Sequence, residues 1–252
     1  RYGNLFEMYQ KITGLDAYRE PMKIAPAAHF SMGGLWVDYE LMTTIKGLYA
    51  VGECNFADHG ANRLGANSLL QACVDGYFVL PCTIGNYLAD FVGQPIPCSS
   101  SDPFINSRQS AKDSIAELLQ IQGSRSVDDF HRDLGAILTK HCGIVRSAEG
   151  LQTAIEQIVR LREDFLINVR VPGAADQPNS ELEKALRVRD YLELGELMCL
   201  DALHRNESCG MHFRVEHQTD AGEAIRNDDD FCFVSAWEHG PDGAGVCHHE
   251  LL

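Results

Sequence analysis

The chain has 252 residues, of which 45% are hydrophobic, and its 21 Lys and Arg against 36 Asp and Glu give a net charge of −15. This length and composition predict a folded globular chain with a packed core and exclude disorder as its main state. The negative charge, with basic residues scattered along the sequence, disfavours binding to nucleic acid or to an anionic membrane surface. The longest uncharged stretch, 76–89, has 14 residues against the ~20 of a membrane span, so we expect no span.

Nine cysteines with wide spacing and no CxxC pair predict reduced thiols in a cytoplasmic protein. The string Cys247-His248-His249 could supply metal ligands, but no partner cluster with zinc-site spacing accompanies it. We therefore predict no metal site and expect these residues in an exposed tail. The chain starts with Arg1, without Met or a signal peptide, so we expect a fragment or a processed piece.

The first third of the sequence mixes helical and strand patterns. Hydrophobic residues at helical spacing predict a helix over 4–13 that ends at Gly14. Residues 47–53 predict a buried strand that ends at a glycine turn, and the apolar pattern from Asn67 predicts a buried helix packed against that strand.

A Pro- and Ser-rich stretch over 93–107 marks the main predicted domain boundary. Amphipathic patterns beyond it predict a helical bundle, with helices over 110–122, from Ser126, from Ser147 and over 180–204, the two serines acting as N-caps. Alternation over 231–237 after an acidic turn predicts a strand in a small terminal β element.

Three neighbouring segments carry the candidate chemistry, and the first ends in Gly52-Glu53. A carboxylate directly after a strand and a glycine can accept a hydrogen bond from a sugar hydroxyl, although such a pair can also be a simple turn. The Thr that lies ten residues before the acid, Thr43, makes the pattern resemble the second cofactor motif of flavoproteins with two dinucleotide-binding domains.

The second segment is HGANRLGANSLL, residues 59–70. Its Arg63 precedes a helix start at Asn67-Ser68, and a guanidinium beside a positive helix end suits an anionic ligand or a reduced flavin. A solvated surface arginine is the alternative. The third segment, PAAHFSMGG at 26–34, contains His29, which by itself could be an ordinary core histidine.

Together these strings resemble the motifs of the flavoprotein subunit of succinate dehydrogenase and fumarate reductase, and GGLWVDYE and GECNFADHG resemble its Bacteroidetes and Chlorobi-like type. The stretch ESCGMHFR at 207–214 is similar to a C-terminal motif of that family, with Cys209 where an Arg is usual. L-aspartate oxidase shares the His and HGANR motifs, but its loop usually continues Met-Ala-Ser rather than Leu64-Gly65-Ala66, so it is the second choice.

The resemblance implies an α+β fold: a partial FAD-binding domain of the two-dinucleotide-binding type, then a helical bundle and a small C-terminal domain that contains β structure. The corresponding ranges are 1–25 for the end of a capping domain, 26–95 for the C-terminal part of the FAD-binding domain, 104–204 for the helical domain and 205–252 for the C-terminal domain. His29 and Arg63 would bind a dicarboxylate, with the proton-shuttling Arg outside the chain. The residues implied to contact FAD are Glu53, Asn67, Ser68 and Leu69.

The implied activity is oxidation of succinate to fumarate, or the reverse, through FAD, with electrons passed to an iron-sulfur subunit. A membrane-anchor cytochrome b subunit would hold the complex on the cytoplasmic face of the membrane, with the flavoprotein as a peripheral subunit. We expect the chain alone to be inactive, and residues 26–95 to fold poorly or to associate through exposed apolar surface. The alternative for the chain alone is a helical interaction module without activity.

Overall fold

The computed structural model describes residues 3–24, 29–56, 59–240 and 245–251. The first three residues of PAAHFSMGG and residues 57–58 of the GECNFADHG loop lie outside the described residues. Two apolar cores are present in the described chain: a small one around Val37, Leu41 and Ala50, and a large one that runs from Leu118 to Ala202. The predicted α+β class, with a helical bundle after a mixed N-terminal part, is confirmed.

The first helix, α1, spans Gly3–Thr13 as predicted and ends at Gly14, whose φ of 76° places it in the left-handed region that favours glycine. The predicted buried strand over 47–53 is wrong. Its only described pairing is a single bridge between Met42 and Tyr49, and a 3-10 turn, Gly52–Cys54, follows. Among the described residues, only two backbone hydrogen bonds accompany this bridge, from the Ala50 N–H to the Leu41 carbonyl and from the Thr43 N–H to the Leu48 carbonyl, and a strand needs such pairing along its length.

A continuous helical run covers 67–89, as α2 (Asn67–Val74), a π turn (Asp75–Val79) and α3 (Leu80–Ala89). The predicted helix is confirmed, but its predicted burial is wrong, because Leu69, Tyr77 and Phe78 are 72%, 77% and 73% exposed. By length and composition alone this 23-residue run could cross a membrane. The uncharged stretch 76–89 begins after Asp75 and so covers only part of this run.

Four long helices form the bundle: α4 (Asp102–Gln120), α5 (Val127–His141), α6 (Ala148–Asn168) and α7 (Ser180–His204). The start of α4 lies eight residues before the predicted one, because Pro103 occupies the first turn, where a missing N–H costs nothing. Both predicted serine caps are confirmed. Ser126 accepts a hydrogen bond from the Asp129 N–H, and Ser147 accepts one from the Gly150 N–H.

The bundle core is built on pairs of large and small side chains. The rings of Phe130 and Phe165, both fully buried, meet edge to face with centroids 5.2 Å apart. Buried Ala154 and Ala185 allow α6 and α7 to pack closely. In the described part of the chain, the side chains of this core all lie beyond residue 100, so the bundle has its own hydrophobic centre.

Short strands tie the ends of the bundle together. Two parallel pairs join β1 (Arg125–Ser126) to β3 (Val169–Arg170) and β2 (Val145–Arg146) to β4 (Phe213–Arg214). After the short helix α8 (Asp228–Phe231), an antiparallel hairpin pairs β5 (Phe233–His239) with β6 (Gly245–Leu251). The strand predicted over 231–237 is confirmed, but β5 starts and ends two residues later. The expected exposed tail is wrong, because Cys247-His248-His249 lies in strand β6.

Candidate functional site

The carboxylate of Glu53 is held at the 3-10 turn Gly52–Cys54. Gly52 has a φ of 69°, and a Cβ on it would lie 3.4 Å from the Cβ of Ala72, so the turn packs on α2. The Ser31 N–H donates to Glu53 Oε1 at 2.8 Å. This hydrogen bond ties the segment that contains His29 to the turn. No donor among the described residues contacts the second oxygen of this exposed carboxylate, which can therefore accept from a ligand.

Gly34 fixes the same segment against the turn from the other side. A Cβ on Gly34 would lie 2.2 Å from the carbonyl oxygen of Cys54, a distance that no side chain can occupy. The Leu35 N–H donates to that carbonyl at 2.7 Å. The second glycine of PAAHFSMGG is therefore required by the close approach of two backbones.

Arg63 lies beside the N-terminus of α2. Its Nη1 donates to Ser68 Oγ at 2.7 Å, and its guanidinium carbon lies 5.1 Å from the centroid of the Phe30 ring. The Arg63 backbone N–H points to Met32 Sδ at 3.1 Å. Among the described residues no carboxylate pairs with Arg63, and no side chain caps α2. A half-buried guanidinium and an uncapped helix N-terminus together make an electropositive site for an anion.

The predicted residues are partly brought together. Contacts of Glu53 with Ser31, and of Arg63 with Phe30, Met32 and Ser68, gather the three motifs around one point. The side chains of His29, Asn67 and Leu69 are exposed. The Asn67 N–H is directed to the Leu64 carbonyl at 3.2 Å, so it is not free for a ligand.

Sequence reasoning missed His59. Its ring meets the Phe30 ring edge to face at 5.3 Å, and its Nε2 is buried without a hydrogen-bond partner among the described residues. A buried polar atom of this kind is rare in native structures and points to a group that binds there. His59 is the first residue of HGANRLGANSLL, so its place in that motif is the sequence signal that could have identified it.

The C-terminal stretch 207–214 also reaches this site, which the sequence did not predict. The Met211 N–H donates to the carbonyl oxygen of Ala61 at 3.1 Å, two residues before Arg63. Gly210 has a φ of 60°, and a Cβ on it would lie 2.2 Å from that oxygen. Cys209, which stands where the family motif has Arg, exchanges backbone hydrogen bonds with His212 and so shapes this turn.

His212 anchors the stretch to the bundle. Burial lowers the pKa of His212, and a neutral ring suits both of its contacts: Arg146 Nη1 donates to Nδ1 at 2.9 Å, and Nε2 donates to the Arg205 carbonyl at 3.0 Å. Arg214 is buried and donates to the carbonyls of Ala202 and Leu203 at the end of α7. The loop that carries Arg63 is thus supported from the bundle side.

The donor set fits part of an FAD site. A carboxylate with one free oxygen can accept a hydroxyl of the ribityl or ribose group, and the uncapped end of α2 can stabilise negative charge on a reduced flavin ring. These groups form one wall of a site rather than an enclosed cavity, which agrees with the exposure of Leu69 beside them.

Two family models match the chain: an FAD binding domain over residues 4–69 and a fumarate reductase flavoprotein C-terminal model over residues 131–248. The succinate dehydrogenase flavoprotein subunit of Bacillus subtilis is 33% identical over 241 residues, which are 95% of this chain and 39% of that protein. The L-aspartate oxidase of Synechocystis is 31% identical over 220 residues, 81% of this chain and 36% of that enzyme.

Solved structures agree. A quinol-fumarate reductase solved with menaquinol molecules matches 100% of this chain and 42% of its own chain, with a TM-score of 0.84 and 28% identity. The fold and these matches define a family of FAD-dependent oxidoreductases. The chain belongs to the succinate dehydrogenase and fumarate reductase flavoprotein family, and it spans about 40% of the length of these relatives.

Proposed function

We propose that this chain is part of a flavoprotein subunit that oxidises succinate to fumarate, or reduces fumarate, with FAD. The observation that carries this proposal is Arg63, a guanidinium held beside an uncapped helix N-terminus with no carboxylate partner among the described residues. Such a site favours a ligand carboxylate, and succinate has two. L-aspartate oxidase is the second candidate, because its relatives match at similar identity; Leu64-Gly65-Ala66 favours the first.

Each residue has a defined task in this proposal. Arg63 binds one substrate carboxylate through its forked N–H groups, while Ser68 and the Phe30 ring fix the plane of its guanidinium. His29 binds the second carboxylate from its exposed position beside Phe30. Loss of one such electrostatic contact costs about 2–4 kcal/mol in the transition state.

The cofactor contacts are assigned to Glu53, Asn67, Ser68 and Leu69. Glu53 accepts a sugar-alcohol hydroxyl, and the start of α2 faces the ring system through the N–H groups of Ser68 and Leu69; the exposed Asn67 offers its side-chain amide. When bound, FAD supplies the acceptor or donor for the hydride. The proton-shuttling Arg belongs to another part of the whole protein.

The exposed apolar side chains of α2 and α3 would pack against the remainder of the FAD-binding domain in the whole protein. The proposed domains remain 1–25 for the end of the capping domain, 26–95 for part of the FAD-binding domain, 104–204 for the helical domain and 205–252 for the C-terminal domain. The whole subunit would pass electrons to an iron-sulfur subunit bound to a cytochrome b membrane anchor, on the cytoplasmic face of the membrane. Relatives solved as quinol-fumarate reductase support assembly of this kind.

The test is an assay of the whole flavoprotein. We expect succinate-dependent dye reduction that malonate inhibits, and no aspartate-dependent peroxide formation. Aspartate oxidation without succinate oxidation would move the assignment to L-aspartate oxidase. Bound flavin with neither activity would overturn both candidates.

For the chain alone, the independent bundle core favours a helical interaction module without activity. This predicts that the purified chain captures the iron-sulfur subunit although it does not turn over succinate. Failure of that capture by a well-folded chain would contradict the module.

A further inference from the structure

Three metal-ligating side chains meet where the C-terminal hairpin packs on α7. His204 lies in the last turn of α7, and Cys247 and His249 are alternate residues of β6, so their side chains share one face of the hairpin. The ligand atoms of the three side chains lie within 4.8 Å of one another. His204 lies 43 residues before Cys247, so spacing rules do not detect the set.

The surrounding contacts hold this cluster in place. Strand register sets Trp237 opposite Cys247 and Ser235 opposite His249. The Trp237 Nε1–H donates to Asp201 Oδ1 at 2.8 Å, which joins the hairpin to α7 one turn before His204. The His249 ring stacks on Phe233 at a centroid distance of 3.8 Å. The site is therefore built on a helix and a strand rather than on a mobile loop.

Two imidazoles and one thiolate are a zinc donor set. Tetrahedral Zn²⁺ with these ligands holds the donor atoms about 3.3–3.6 Å apart. The present separations of up to 4.8 Å close to that range by rotation of the exposed His204 and His249 side chains. We infer that His204, Cys247 and His249 bind one Zn²⁺ ion, which clasps the C-terminal hairpin to the end of α7.

The charges and protons at this cluster balance when Zn²⁺ binds. Binding forms a zinc–sulfur bond and releases the Cys247 thiol proton to solvent, and two neutral imidazoles add no charge. Burial raises the pKa of the Cys247 thiol, and although a hydrogen bond with Ser235 lowers it, the nearby Asp201 carboxylate raises it further. The bound Zn²⁺ would reverse that effect, and the Asp201 carboxylate would offset the remaining positive charge.

His248 provides a matched control, because it lies on the opposite face of β6. Its Nε2 lies 2.8 Å from Glu238 Oε2, away from the cluster. A metal-binding tail would use His248 as readily as His249, whereas the clasp excludes it. Cys232, which is exposed, controls for adventitious thiol binding.

The experiment uses the full 252-residue chain, freed of metal by chelation and titrated with Zn²⁺ and then Co²⁺. We expect one Zn²⁺ per chain, release of one thiol proton, and a thiolate-to-cobalt absorption band with Co²⁺. Cys247→Ser removes that band, His204→Ala weakens Zn²⁺ binding at least ~100-fold, and His248→Ala and Cys232→Ser leave both unchanged.

Two outcomes would overturn the inference. One is a wild-type chain that binds no stoichiometric Zn²⁺ and releases no proton, a result that does not depend on any variant being folded. The other is a Cys247→Ser chain, with the helical content of the wild type, that keeps the thiolate band.

Discussion

The backbone N–H of Met211 donates to the carbonyl oxygen of Ala61 at 3.1 Å, across 150 residues of sequence. This bond joins the loop that carries Arg63 to a C-terminal stretch that is itself fixed to α7 by Arg214. The geometry of the candidate anion site therefore depends on the C-terminal region as well as on its own motif.

Gly210→Ala tests this dependence. The new Cβ would lie 2.2 Å from the Ala61 oxygen at a φ of 60°, so we expect a loss of about 1–3 kcal/mol in the free energy of unfolding. Gly222→Ala is the control, because Gly222 also has a positive φ, 81°, but a Cβ on it would only contact Gln218 Oε1 at 3.9 Å, an ordinary van der Waals distance. Urea unfolding followed by Trp fluorescence compares the two. Equal losses would show that backbone strain alone, and not the close approach to Ala61, sets the cost.

Arg63→Ala in the whole flavoprotein should lower kcat/KM for succinate at least ~100-fold while flavin stays bound. The reason is that Arg63 supplies the forked donors for a carboxylate, which Lys cannot replace, so Arg63→Lys should also fail. Arg108→Ala, on the exposed surface of α4, is the control. Steady-state assays and the flavin absorbance measure both effects, and full activity of Arg63→Ala would remove this residue from the site.

Ser126→Ala should cost about 0.5–2 kcal/mol, because Ser126 caps α5 in a capping box with Asp129. Hydrogen bonds from Ser126, and next from Arg132, lower the pKa of Asp129 below its ordinary 3.8. A lowered folded-state pKa adds stability above the unfolded value, so this contribution is lost only as pH falls through the folded pKa.

Thermal unfolding at pH 7 and near pH 2 measures the cap. Ser126→Thr is the matched variant, since its hydroxyl keeps both an acceptor for the Asp129 N–H and a donor to the Asp129 carboxylate, and it should stay close to the wild type at pH 7. A Ser126→Ala cost that is the same at both pH values would contradict a contribution from the Asp129 carboxylate.

Two glycines in the bundle should respond to alanine with opposite sign. Gly135 in α5 has open space around it, so Gly135→Ala should add about 0.5–1 kcal/mol through helix propensity. A Cβ on Gly195 in α7 would lie 3.2 Å from Leu134 Cδ1 inside the core, and Gly195→Ala should cost about 1–3 kcal/mol by overpacking. Chemical denaturation gives both values, and stabilisation of both variants would contradict tight packing of α7.

The exposed face of α2 and α3 should drive association of the chain. Leu69, Tyr77 and Phe78 offer apolar surface to a second copy, and replacing Leu69 and Phe78 with Gln should restore the monomer in sedimentation velocity.

The helical run over 67–89 should not insert into a membrane. Asp75, in the middle of the run, would cost ~2.5–3.5 kcal/mol at a bilayer centre, so flotation with vesicles should recover little chain. Recovery of most of the chain with vesicles would favour a membrane segment.

The sequence predicted the bundle well because its signals are local. The run over 180–204 is bounded by Asn179, whose side chain accepts a hydrogen bond from the Leu182 N–H, and it follows helical periodicity throughout. The candidate motifs could likewise be recognised, but their convergence through Phe30, Met32 and Ser68 could not.

Predictions failed where the outcome depends on distant residues. Among the described residues, the stretch 47–53 is paired only at the bridge between Met42 and Tyr49, and the side chains of the helix from Asn67 are largely exposed. Neither pairing nor burial therefore follows from the sequence pattern alone. His204 lies 43 residues before Cys247, and only the packing of β6 on α7 brings them together.

The bond between Ala61 and Met211 also sets an order of events during synthesis. At about 5–20 residues per second, the ribosome adds Met211 on the order of ten seconds after Ala61. The loop that carries Arg63 therefore lacks this hydrogen bond during the synthesis of the bundle helices. The hydrogen bond can form only after Met211 has left the ribosome, so a translation arrest between the two residues would leave the anion site without its support from the C-terminal region.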